Sequence, residues 1–145
     1  MARHLKPSLV FNNHYSISKE NEKDEVHLFD FDAHFVNSII HGSLTSEIVI
    51  DVDIDAHFAF QFENCMLKIN PQFDISDTSL FVNMITDPTD LPRFVNPAEG
   101  DFHLDTLSAA KDKGNADYLI DFPFDLDGVA RDSLPDLGAY ERIEQ

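Results

Sequence analysis

The sequence predicts an all-β fold: a parallel β-helix of about three to four coils over residues 1–100, followed by an irregular C-terminal cap over residues 101–145 of the same domain. Three observations predict it. A Phe-x-Asn pattern recurs at solenoid-like spacing, one segment alternates apolar and acidic residues with period two, and the C-terminal stretch is rich in turn residues with almost no periodic apolar face.

The repeat is Phe-x-Asn, then a small or polar residue, then an apolar one. It occurs as Phe11-Asn12-Asn13-His14-Tyr15, Phe35-Val36-Asn37-Ser38-Ile39, Phe62-Glu63-Asn64-Cys65-Met66 and Phe81-Val82-Asn83-Met84-Ile85. The copies start 24, 27 and 19 residues apart, which suits coils whose strands stack in register while turns absorb insertions. Amides of Asn13, Asn37, Asn64 and Asn83 at one place in every coil would donate to and accept from one another, so these residues are the expected structural ladder. A second recurrence, Asp32-Ala33-His34-Phe35 and Asp55-Ala56-His57-Phe58, is offset by 23 residues and reads as a coil with one lengthened turn.

Between these lies Ile48-Val49-Ile50-Asp51-Val52-Asp53-Ile54-Asp55, the clearest strand pattern in the chain. Ile50, Val52 and Ile54 are expected to face the core, which sets Asp51, Asp53 and Asp55 in a row outside, about 6.5–7 Å apart. That row is the candidate calcium site; a solvated strand face kept soluble by carboxylates explains the same pattern. Ser16–Glu25 has mixed charges without an apolar anchor and reads as an exposed loop. Pro88, Pro92 and Pro97 break ladder bonding, so the chain should leave regular coils between Thr86 and Gly100.

The tail carries specific strings in a fixed order: Asp101-Phe102-His103-Leu104, Ser108-Ala109-Ala110-Lys111-Asp112-Lys113-Gly114, Asp125-Leu126-Asp127-Gly128-Val129-Ala130-Arg131 and Pro135-Asp136-Leu137-Gly138-Ala139-Tyr140-Glu141. It resembles the carboxy-terminal end of secreted right-handed parallel β-helix repeat proteins, the pectate-lyase-like, choice-of-anchor Q group frequent in the Bacteroidetes. One departure is Ala109, where that group usually has a more rigid proline. The resemblance implies a right-handed solenoid and a secreted or cell-surface protein. It does not choose an activity, because one fold serves enzymes and non-enzymes alike.

Composition narrows the partners. With 27 acidic and 10 basic residues, a formal charge of −17 would repel nucleic acid backbones; it reads first as a device for solubility, and cations are the partners it allows. No apolar run approaches the ~20 residues of a membrane span. Met1–Leu9 has basic residues, but Pro7 and Asn12 interrupt any apolar signal-peptide segment. The single Cys65 forms no internal disulfide and occupies the repeat position of Ser38, which predicts a packed, inert thiol.

Catalytic and metal motifs are sparse. EF-hand loops fail at both starts: the one begun at Asp51 has Ala56 and Phe62 where Gly and Glu are needed, and the one begun at Asp125 has Ala130 and Asp136. Asp125-Leu126-Asp127-Gly128 reads as a tight turn. The seven His show no zinc spacing, and His34 and His57 read as turn residues. Lyases of the resembled architecture use Lys or Arg as base with calcium and Asp. Lys68 alone sits beside a predicted strand here, where a solvated Lys is the simpler reading.

The expected role is therefore a non-catalytic end segment of a secreted or cell-surface β-helix protein, carbohydrate-binding or adhesive, with polysaccharide as partner. The alternative is a fragment of a polysaccharide lyase or glycoside hydrolase acting on acidic polysaccharide. Met1–Pro7 is too short and polar to cover the coil containing Leu9, Val10 and Phe11, which predicts an exposed N-terminal edge that meets upstream coils or a second copy of the chain.

Overall fold

The computed structural model describes residues 6–20 and 23–143, and their regular structure is mostly short strands with two 3-10 helices, Pro97–Glu99 and Ala116–Ile120. The strands in chain order are β1 Leu9–Asn12, β2 His14–Ile17, β3 Glu25–Leu28, β4 Phe31–Val36, β5 Ile39–Ile40, β6 Ile48–Asp51, β7 Phe58–Glu63, β8 Met66–Leu67, β9 Phe81–Val82, β10 Phe94–Asn96 and β11 Asp101–Leu104. They form an all-β arrangement of sheets with two or three strands each. β1 pairs parallel with β6, β5 with β8, and β4, β7 and β9 make a three-stranded parallel sheet. Two antiparallel pairs, β2–β3 and β10–β11, stand outside these ladders.

Phenylalanine sets the register. Phe35 pairs with Phe62 and Phe62 with Phe81, so three copies of the repeat fall on one column. Parallel neighbours lie about 4.8 Å apart, close to the spacing of stacked rings, so identical residues in register stack face on face. The centroids are 4.9 Å apart for Phe35–Phe62 and for Phe31–Phe58, and 5.9 Å for Phe62–Phe81. Phe11 enters from β1 and touches Phe31, Phe35 and Phe62 at 5.3–5.8 Å, so the sheets share one core with Ile48, Leu67 and Ile69. Phe73, Ile75 and Leu80, from the connection between β8 and β9, pack against the same cluster.

Each copy on that column ends in an Asn with left-handed backbone: φ is 48° at Asn37, 48° at Asn64 and 52° at Asn83. One such residue turns the chain sharply between strands, and Asn tolerates the conformation better than any residue but Gly. Ladder bonding continues across the bend, with Asn37 N donating to Glu63 O at 3.1 Å and Asn64 N to Val82 O at 2.9 Å.

The Phe11 copy does not join the column. Phe11 pairs with Ile50, and Asn13 makes a reciprocal pair with the backbone of Asp53, Nδ2 donating to its O and Oδ1 accepting from its N, both at 2.8 Å. That pair draws Asp53 out of line, so β6 stops at Asp51 and Ile54 lies 92% exposed in a turn instead of facing the core. The Asp-Ala-His-Phe recurrence is likewise not a structural repeat, since Phe31, not Phe35, pairs with Phe58. His34 accordingly lies within β4. The segment read as a loop, Ser16–Glu25, keeps strand structure only at its ends, Ser16, Ile17 and Glu25. Its other described residues make the exposed connection of the β2–β3 hairpin, whose ladder runs from His14↔Leu28 to Ile17↔Glu25; Asn21 and Glu22 lie outside the described residues.

The tail lies along the flank of the ladders. Met66, on the opposite face of β8 from Leu67, is covered by Leu104, Ala110 and Leu137, with Ile39, Ile85 and Phe94 around them. One backbone bond fastens it to the ladders, Gly138 N to Asn37 O at 2.7 Å, and two close the tail on itself, Leu137 N to Ala110 O at 3.0 Å and Gly114 N to Pro135 O at 2.7 Å. Gly114 cannot be enlarged, because a Cβ there would sit 2.8 Å from Pro135 O.

The expectation of an exposed Phe11 does not hold: its side chain is 1% exposed, covered by the rings of its own chain. What stays open is backbone, since among the described residues β1, β4 and β5 each have a strand partner on one edge only.

Candidate functional site

The tail and the first Asn turn enclose a cleft of about 620 Å³, lined by Val36–Ile39 on one side and by Tyr118, Leu119, Phe122 and Phe124 on the other. Its position follows from Asn37. The Asn37 amide pairs reciprocally with the Asn115 backbone, Asn115 N donating to Oδ1 at 2.7 Å and Nδ2 donating to Asn115 O at 3.0 Å. Asn115 then N-caps the 3-10 helix that carries Tyr118, its Oδ1 accepting from Asp117 N at 2.9 Å.

Glu63 fixes the mouth. Its carboxylate accepts from Tyr118 Oη at 2.8 Å and from Asn115 Nδ2 at 2.8 Å, and His34 Nε2 lies 3.4 Å away. The Tyr118 hydroxyl, then the amide and imidazole partners, hold the Glu63 carboxyl below the ordinary range despite its burial, so it is ionised at neutral pH and unsuited to act as a general acid. The far wall is a polar knot. Burial disfavours the charge on Asp125, yet the backbone N–H groups of Glu141, Val129 and Asp127 overcome it and hold this carboxyl below its ordinary value. Arg131 donates to Gly138 O at 2.7 Å, to Asp136 O at 3.1 Å and to Glu141 Oε2 at 3.2 Å.

Around the mouth, apolar side chains stand in solvent: Phe122 is 67% and Phe124 60% exposed, with Ile120 and Leu126 exposed beside them. Asp121, Pro123 and Asp125 stand between them, and this spacing of two residues is a sequence signal that the reading of the tail as lacking a periodic apolar face passes over. The reading of Asp125–Gly128 as a turn agrees with the structure, in which Gly128 N donates to Asp125 O and Gly128 has φ 79°.

The expected ladder is distributed differently. Asn64 and Asn83 join amide to amide, Asn83 Nδ2 donating to Asn64 Oδ1 at 3.3 Å. The Asn64 amide in turn donates to Lys113 O, the Asn37 amide is taken by Asn115, and the Asn13 amide by Asp53, so three of the four bond to backbone. Asn37→Ala is expected to lower unfolding free energy by about 1–3 kcal/mol through the unpaired Asn115 groups. Asn37→Gly, which relieves the left-handed backbone, should cost about 1 kcal/mol less. Urea denaturation of both variants reads the difference, and a glycine variant weaker than the alanine variant would refute the assignment.

Asp51, Asp53 and Asp55 do not share one strand face. Asp51 Oδ2 is 3.8 Å from His14 Nε2, while Asp53 Oδ1 accepts from Asp55 N at 3.0 Å within the turn. Among the described residues no group of three or more His, Cys, Asp or Glu is placed to hold a metal ion. Lys68 is half-buried, and its ammonium donates to Gly42 O, which removes it from the role of a free base. Cys65 is buried, its thiol pushed up by burial and bonded to Phe35 O and Glu63 O.

One further polar cluster lies within the tail and ties its turn at Asp127 to β11. His103 Nδ1 lies 2.7 Å from Asp101 Oδ1 and Nε2 3.1 Å from Asp127 Oδ2, with the ring stacked 4.0 Å from Tyr140. Asp101 and then Asp127 raise the imidazole pKa, and His103 lowers that of Asp101. The His103 contribution to stability is therefore complete below the unfolded imidazole pKa and lost as pH rises through the higher folded value. That of Asp101 is complete above the unfolded carboxyl value and lost as pH falls through the depressed one. The clamp should be strongest in mildly acid solution. An NMR titration of His103 should give a midpoint above that of a free imidazole, lowered by Asp127→Asn; no change with the variant would refute the clamp.

No protein-family model, curated protein or solved structure matches the chain. Among the described residues no helix is long and apolar enough to cross a membrane.

Proposed function

We propose that the chain is the end segment of a right-handed parallel β-helix of the pectate-lyase-like kind, a non-catalytic secreted or cell-surface module that binds carbohydrate in the cleft beside Asn37. Support for the solenoid is the shared register of the parallel ladders, with a left-handed Asn closing each row at Asn37, Asn64 and Asn83. The open edges of β1, β4 and β5 are where a neighbouring coil or a second copy would extend those ladders.

The observation that carries the binding reading is the set of aromatic rings, Tyr118, Phe122 and Phe124, around one cleft of about 620 Å³ with polar groups at its rim. The volume is that of small-ligand sites, and a sugar ring presents an apolar face to an aromatic ring while its hydroxyls meet polar atoms at the edge. A rival reading as a lyase fragment for acidic polysaccharide needs a free base, and Lys68 is tied to Gly42 O; a hydrolase fragment would need a pair of carboxylates instead. A calcium site at Asp51, Asp53 and Asp55 is not part of this proposal, because Asp53 Oδ1 is engaged within its own turn.

A glycan array followed by titration tests the reading. Phe122→Ala and Phe124→Ala should each weaken binding roughly tenfold or less, the range of one aromatic contact. Release of unsaturated products from a uronic-acid polymer would overturn it in favour of the lyase.

A further inference from the structure

We propose that the carbohydrate taken by this cleft is a basic amino-sugar oligomer of the deacetylated glucosamine type, and that uronic-acid oligomers are turned away. The inference rests on the carbohydrate reading above and concerns which class of sugar fits.

Two independent features point to it, the first being the direction of the hydrogen-bonding groups. Four donors along the cleft are already used inside the protein: Gly138 N on Asn37 O, Leu126 N on Ala139 O, Asp125 N on Val129 O, and the Tyr118 hydroxyl on Glu63. Arg131, the one lysine or arginine in the lining, spends its guanidinium on Gly138 O, Asp136 O and Glu141. A uronate carboxylate needs donors or a free cation, and these groups offer it neither.

The second feature is charge. Asp117, in the first turn of the helix that carries Tyr118, and Asp121, its C-cap, are both exposed; Asp127 follows Leu126 but already meets His103, and Glu63, behind Tyr118, is taken by Tyr118 and Asn115. Asp117 and Asp121 are the immediate chain neighbours of the lining residues Tyr118 and Phe122, and exposed charges act over ~8 Å at physiological salt. An ammonium brings three donors and a positive charge to a rim made of acceptors, while its sugar ring retains the apolar face that Phe122 and Phe124 require. A glucosamine oligomer satisfies the aromatic and the acidic parts of the site together.

Isothermal titration of the full chain with a glucosamine tetramer, its fully N-acetylated counterpart, an oligogalacturonate and an oligolysine of equal charge tests the proposal. The glucosamine tetramer is expected to bind best and to weaken as salt is raised. Asp117→Asn and Asp121→Asn should each weaken it about two- to fivefold. Phe124→Ala should weaken the sugar while leaving oligolysine unchanged. Tighter binding of the oligogalacturonate, or equal binding of the N-acetylated tetramer, would overturn the proposal and leave the carbohydrate reading standing. No binding of any of the sugars would sink the carbohydrate reading itself. Oligolysine bound as tightly as glucosamine, with Phe124→Ala without effect on either, would reduce the attraction to net charge and overturn the amino-sugar proposal.

Discussion

Phe62→Ala is expected to lower the unfolding free energy by about 3–5 kcal/mol, the range for truncating a fully buried aromatic ring. The side chain is 0% exposed and lies at the centre of the ring column, stacked between Phe35 and Phe81, with Phe11 at 5.8 Å and Phe60 edge-on at 5.9 Å. Collapse into the space left behind is opposed from both sides, because β7 is bonded to β4 and to β9 and these ladders fix its spacing. The cavity should therefore stay open, and the cost should fall in the upper part of the range. Phe122→Ala supplies the contrast: a ring 67% exposed should change stability by no more than about 0.5 kcal/mol while still weakening a ligand. Urea unfolding of both variants checks the pair. A Phe62→Ala loss below about 1 kcal/mol would mean that the ring column does not organise the core.

The column was legible because a repeat of one large residue in a parallel ladder stacks like on like, so Phe35, Phe62 and Phe81 with their following Asn residues announce their own register. Phe11 carries the same local string yet sits in a different ladder, since a three-residue pattern does not specify which strand it pairs with, and the Asn13–Asp53 pair decides it. The same pair explains Ile54: period-two alternation predicts a strand only while the ladder continues, and here it stops at Asp51. Register contacts between distant residues were the missing information in both cases. The cleft was illegible for a similar reason, because it joins Val36–Ile39 to side chains some eighty residues later through Asn37 and Asn115. Its outer half did leave a trace in the same-parity run Ile120, Phe122, Phe124 and Leu126 between carboxylates, which is an alternating pattern in a segment with too little pairing to make a sheet.

Arg131→Met should cost about 3–5 kcal/mol at neutral pH, the penalty for removing one partner from a buried ion pair. The side chains of Arg131 and Glu141 are 11% and 6% exposed, and the guanidinium also satisfies the carbonyls of Asp136 and Gly138. Burial raises the carboxyl pKa of both Glu141 and Asp136, and Arg131 works against that rise at Glu141. In the native protein these two acids therefore contribute stability that is complete below their unfolded values and lost as pH rises through the higher folded ones. Removing Arg131 lifts the Glu141 value further, so the loss on substitution should be greatest at neutral pH and shrink as Glu141 takes up a proton in acid. Arg131→Lys should recover part of the charge but not the fork that reaches Gly138 O and Glu141 together. Because Gly138 N is the group that fastens the tail to Asn37 O, loss of Arg131 should also loosen the far wall of the cleft. Urea unfolding at pH 7 and in mild acid, with limited proteolysis of the tail, measures both effects. A loss that does not shrink in acid would mean that packing of the Arg131 stem, not its charge, holds the tail in place.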